Sequence, residues 1–92
     1  PLAELKARYR AKMDTFEGEF ARLRALPRHD RADAVAAYSH SIAGTAGSFG
    51  FTAVSDAAFD LVAAAKRCRD LGADSESLEP LVHELLNRVA LS

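Results

Sequence analysis

The sequence predicts an all-α fold, an antiparallel up-down four-helix bundle, and three observations carry that expectation. Apolar residues recur at spacings of three and four in four separate segments, which is the period of an amphipathic helix. Helix breakers divide those segments: Pro27, the glycines from Gly47 to Gly50, and Gly72. No stretch alternates apolar and polar residues as a strand does, and there is no repeat or low-complexity run. Short connections between successive helices favour antiparallel neighbours. With 92 residues the chain reads as one domain in which every helix must contribute to the core.

The expected helices cover roughly residues 2–26, 31–47, 53–70 and 76–90. Leu2, Leu5, Tyr9, Met13, Phe16, Phe20 and Leu23 form the inward stripe of the first, and Pro27 stops it. Gly18 costs that helix up to about 1 kcal/mol relative to Ala, which its length can absorb. Asp30 is the expected N-cap of the second helix, with Asp33 near the positive end of its dipole. Its core stripe is Val35, Ile42, Ala46 and Phe49. Thr52 is placed to cap the third helix, which turns Val54, Ala57, Ala58, Leu61, Ala65 and Cys68 inward. Gly72 lies just past its end and suits a left-handed C-cap. Ser75 or Ser77 opens the fourth helix, Pro80 sits in its first turn, and Leu78, Leu81, Val82, Leu85 and Val89 face the core.

Composition narrows the function classes. An apolar fraction of 49% supports a packed globule, and a charged fraction of 27% keeps it soluble. Twelve basic against 13 acidic residues give a formal charge of −1. That balance disfavours non-specific nucleic-acid binding, which needs a basic surface to displace phosphate counterions. Cys68 is the only cysteine, so no internal disulfide forms and a reducing compartment, the cytoplasm, is expected. No apolar run approaches the ~18 residues that span a bilayer, and no signal-peptide pattern opens the chain. Beginning with Pro1 rather than Met, the chain reads as processed, trimmed or part of something longer.

His40 stands out on the second helix. At about 100° per residue it lies roughly 160° from the core stripe, so it should stand in water. Its helical neighbours one turn away are Ala36, Ala37, Ala43 and Gly44, where an ordinary exposed face carries Lys, Glu or Arg. A bare face around a single imidazole suggests a nucleophile that another protein must approach closely. Gly44 in mid-helix costs ~1 kcal/mol and points outward, so room for a docking helix explains it better than packing. Phe59 points away from the third helix's core stripe, nearly level with His40, and either joins this docking patch or tucks against a neighbouring helix. His29 and His83 read as plain surface residues. A metal site from His29, His40, His83 and Cys68 fails, because Cys68 faces the core and no two ligands share a helix turn.

The run His40-Ser41-Ile42-Ala43-Gly44-Thr45-Ala46-Gly47-Ser48-Phe49-Gly50-Phe51, followed by Val54, Ala58 and Leu61, resembles the histidine-containing phosphotransfer (HPt) domain family. About 25 residues carry the resemblance closely, with glycine four and ten residues after the histidine. It implies a monomeric phosphoryl carrier without turnover of its own, exchanging phosphate between His40 and aspartates of response-regulator receiver domains, or taking it from a sensor kinase. It implies no cofactor in this chain, Mg²⁺ and a lysine coming from the receiver. It also marks Ala36, Ala37, Ala43, Gly44, Gly47 and Phe59 as the surface on which a receiver docks. An imidazole free in water is mostly neutral at mildly alkaline pH, so no separate base is needed. One departure concerns charge: the family usually has Lys where this chain has Ala43. Lys66 and Arg67 are expected to lie too far along an antiparallel third helix to replace it. The alternatives are the phosphate-accepting domain of a chemotaxis-type kinase, and a helical adaptor that carries no phosphate.

Overall fold

A computed structural model describes residues 1–92 and contains helices and turns but no strand. Five α-helices follow one another: α1 (Leu2–Met13), α2 (Phe16–Arg24), α3 (Arg28–Ser48), α4 (Thr52–Leu71) and α5 (Glu79–Leu91). A 3-10 turn over Ser75–Leu78 leads into α5. One helix was expected where α1 and α2 stand, and the break falls at Asp14-Thr15. There the Thr15 hydroxyl donates to the Lys12 carbonyl at 2.7 Å, and its amide donates to the same oxygen at 2.9 Å. Side-chain competition of this kind bends helices. Both residues keep right-handed helical angles, so the chain bends without reversing.

The expected inward stripe of the first helix is buried only from Tyr9 onward. Leu2 and Leu5 are 69% and 47% exposed. The reason is the end of the bundle: Tyr9 stacks on Phe49 at 5.1 Å, beside Phe51, where α3 turns into α4. Of the residues before Tyr9, Lys6 reaches back over the Phe51 ring at 5.0 Å, while Leu2 and Leu5 stay largely in solvent.

The contact between α3 and α4 organises the rest. Near the connecting turn the Ser55 hydroxyl donates to the Ala43 carbonyl at 2.7 Å. Toward the far end Arg69 pairs with Asp33 at 3.0 Å. Late α3 therefore lies against early α4, and early α3 against late α4. The faces that meet are built from small residues: Ala32, Ala36, Ala43 and Ala46 on α3, and Ala57, Ala58 and Ala65 on α4, all buried. Short side chains let helix axes approach closely. The other side of α3 meets α2, where Tyr38 packs edge-on against Phe16 and Phe20 with ring centres 6.0 and 5.1 Å away. α5 completes the core through Val82 and Leu85, and Arg24 pairs with Glu79 at 2.6 Å.

The helix ends depart from expectation in three places. Pro27, with ψ 144°, precedes α3, which begins at Arg28; Asp30 lies inside the first turn and caps nothing. Phe51 holds the cap position of α4, and Thr52 is its first helical residue. Asp74, rather than Ser75 or Ser77, accepts from the Glu76 amide at 3.0 Å and caps the turn before α5. Gly72 adopts the left-handed C-cap at φ 64°, and Pro80 sits in the first turn of α5, both as expected.

Two consequences can be measured. A Cβ added at Gly47 would stand 3.1 Å from the Ser55 hydroxyl, which its own bond to Ala43 holds in place. Gly47→Ala should therefore lose stability, whereas Gly18→Ala, which meets open space, should gain up to about 1 kcal/mol. Urea denaturation that finds the two equal would contradict this packing. Burial, then the charge of Glu19, push the Tyr38 hydroxyl up to about 12, from 10.0. The folded state thus keeps this proton after the unfolded chain has lost it, so stability is full below pH ~10 and falls toward pH ~12. Denaturation midpoints across that window should fall less steeply in Tyr38→Phe than in the wild type, and equal slopes would contradict the assignment.

Candidate functional site

His40 stands in the middle of α3 with its side chain exposed. α3 is buried on two sides, against α2 and against α4, and its buried residues span about 120° of the helix circumference. That sector is wider than the stripe of Val35, Ile42 and Ala46 suggests, and it extends toward His40. His40 lies just beyond its α4 edge, on a helix that is fixed from two directions.

This geometry corrects the expected surface around the imidazole. Ala37 and Gly44 are exposed, and a side chain at Gly44 would meet nothing within 4 Å. Ala36 and Ala43 are 4% and 1% exposed, packed in the α3–α4 contact, so they offer little surface to a docked partner. Gly47 is exposed as a residue, but the direction a side chain would take is filled by Ser55. Phe59 is 54% exposed, so it does not tuck against a neighbouring helix. It follows Ser55 by one helical turn and therefore lies on the side of α4 that borders α3.

A shallow hollow of about 320 Å³ joins the two helices at this edge, lined by Asp33, Ala36, Ala37, His40, Lys66 and Arg69. Lys66, expected to lie too far along the helix, lines the same hollow as His40. Interpolating between the Asp33–Arg69 and Ala43–Ser55 contacts sets its backbone one to two helical turns, roughly 7–10 Å, from His40 along the bundle, a gap its long side chain can bridge. Arg69 is already engaged: Asp70 and Asp33, each at 3.0 Å, hold its guanidinium even further above its usual range. Lys66 has no ion pair or hydrogen bond. Arg67 takes no part in the hollow. Sequence reading set Lys66 aside as too distant and did not single out Asp33 or Arg69 for this site; the hollow that joins them to His40 is visible only in the fold.

No three His, Cys, Asp or Glu side chains gather where one ion could reach them. His29 and His83 are exposed on other parts of the surface, and Cys68 is buried with its thiol 3.2 Å from the Ala73 carbonyl. A larger hollow near the α3–α4 turn, lined by Lys6, Arg10, Phe51 and Arg88 among others, contains no histidine, cysteine or carboxylate side chain. No helix is long and apolar enough to cross a membrane.

No curated protein and no solved structure matches the chain. A family model described as "Hpt domain" matches residues 5–91, nearly the whole chain. An all-helical bundle presenting one exposed histidine at mid-helix, ringed by small residues, agrees with that match: the chain belongs to the Hpt domain family, the histidine phosphotransfer domains of phosphorelays.

Proposed function

We propose that this domain carries phosphoryl groups on His40 and exchanges them with aspartates of response-regulator receiver domains. The observation that carries this reading is the placement of His40, exposed at mid-helix between exposed Ala37 and Gly44 in a chain of the Hpt family. In the reading, the bundle is an up-down antiparallel one working as a monomer in the cytoplasm. The neutral imidazole attacks phosphorus through the lone pair on Nε2. The N–P bond forms as the P–O bond to the aspartyl carboxyl breaks, the carboxylate leaves, and the proton on Nδ1 stays in place. The reverse step returns the group to a second receiver. Mg²⁺ bound by the receiver supplies charge neutralisation at the transferring group. What the domain contributes is position. Its nucleophile rides on a helix held from two sides, and Ala37 and Gly44 let a receiver helix come close. Phe59 offers that partner an apolar contact.

Two variants test the reading. His40→Gln should leave stability within about 0.5 kcal/mol, as for other surface changes. It should lose the acid-labile, base-stable phosphate that the wild type gains from a phosphorylated receiver. Label persisting in the variant would place the site elsewhere. Gly44→Gln should strengthen the helix by ~0.5–1 kcal/mol. It should nevertheless slow transfer about 10- to 100-fold, because a displacement near 1 Å in an in-line approach costs that much. Transfer at the wild-type rate with a raised melting temperature would mean that the bare face is not where a receiver docks.

A further inference from the structure

Ala43 leaves the His40 face without the lysine the family usually provides, and its burial shows why the charge cannot come from that position. The hollow beside His40 nevertheless contains two cations, both from α4. Arg69 is committed to Asp33 and Asp70. We infer that Lys66 holds the phosphoryl oxygens of phosphorylated His40, taking over across the helix contact the part that residue 43 cannot play. Lys66 is exposed and unpaired, so its ammonium is free to reach a new anion at low cost. Lys66 follows Ser55 by eleven residues, three helical turns, and Ser55 touches the α3 backbone, so both lie on the edge of α4 that faces α3. The unphosphorylated imidazole gives Lys66 nothing to bind; a dianionic phosphoryl group on Nε2 does. The ammonium draws charge from the phosphoryl oxygens and opposes their expulsion of the ring as leaving group. Lys66 is thus a positioning residue for the phosphorylated form, and the inference rests on His40 being the phosphorylated residue.

The test uses phosphoramidate, which transfers its phosphoryl group to imidazole with ammonia leaving, and so needs no receiver. After the donor is removed, the half-life of the acid-labile phosphate is measured in the wild type, Lys66→Ala, Lys66→Arg, Lys66→Glu and Arg67→Ala. Exposed ion pairs of this kind shift an equilibrium or rate by about 1.5- to 5-fold. Lys66→Ala should shorten the half-life by that factor, Lys66→Glu should shorten it more, and Lys66→Arg should keep it near wild type. High salt should bring the wild type toward Lys66→Ala, since screening weakens exposed pairs. Arg67→Ala removes the same charge away from the hollow and should change nothing. A Lys66→Ala half-life equal to wild type, or equal shortening by Arg67→Ala, overturns the role of Lys66 while leaving His40 as the carrier. Failure of His40 to take up phosphate at all, with the wild type and His40→Gln labelling alike, overturns the carrier reading itself and this inference with it.

Discussion

The close contact between α3 and α4 is the constraint on which the other features depend. It requires alanines along both helices, a glycine at position 47, and a serine at 55 whose hydroxyl reaches across to the Ala43 carbonyl. A small interior cannot spare such a contact. In a chain of 92 residues without tryptophan, the alanine-rich seam and the aromatic group of Tyr9, Phe16, Phe20 and Tyr38 join the buried leucines and valines in a single core. Bringing the two helices together also decides which α3 residues face water. His40 falls just outside the buried sector, and α4 places Phe59 and Lys66 along the same border.

That arrangement explains how a surface residue can be positioned without a pocket. A nucleophile that meets its substrate on another protein needs access from outside, and access usually brings mobility. Here the backbone under His40 is locked by packing on two sides, while the residues beside it are too small to obstruct a partner. Position therefore comes from the core and access from the absence of side chains. The seam has an electrostatic consequence as well. Since position 43 is spent on helix packing, the cations this chain itself offers beside the imidazole come from α4, in the hollow that His40 shares with Lys66 and Arg69.

Much of this was legible in the sequence, and the misses share a cause. The periodic apolar positions of α4 and α5, the left-handed Gly72, Pro80 in a first turn and the outward direction of His40 all follow from local rules, and the structure agrees with them. A single helical wheel, however, assigns one inward direction, whereas α3 packs in two. Ala36 and Ala43 were consequently assigned to the surface, although they are as buried as any core residue. Alanine gives no warning, because it suits an exposed helix and a close helix contact equally well. The bend at Thr15 was invisible for a similar reason: the apolar spacing runs through it unbroken, and only a side-chain bond to the backbone marks it. Lys66 reads as too distant when backbone positions are counted from the turn, and only the hollow between the helices shows it on the same surface as His40.

The central claim is that phosphate enters and leaves on the α3–α4 border and nowhere else on the bundle. The most direct measurement is a comparison of backbone amide NMR shifts before and after phosphorylation with phosphoramidate, together with the coupling that identifies the phosphorylated ring nitrogen. Phosphorus is expected on Nε2 of His40, with amide changes concentrated in residues 33–47 of α3 and 59–69 of α4 and little change in α1, α2 or α5. Phosphorus on His29 or His83, or changes spread evenly over the five helices, would contradict it.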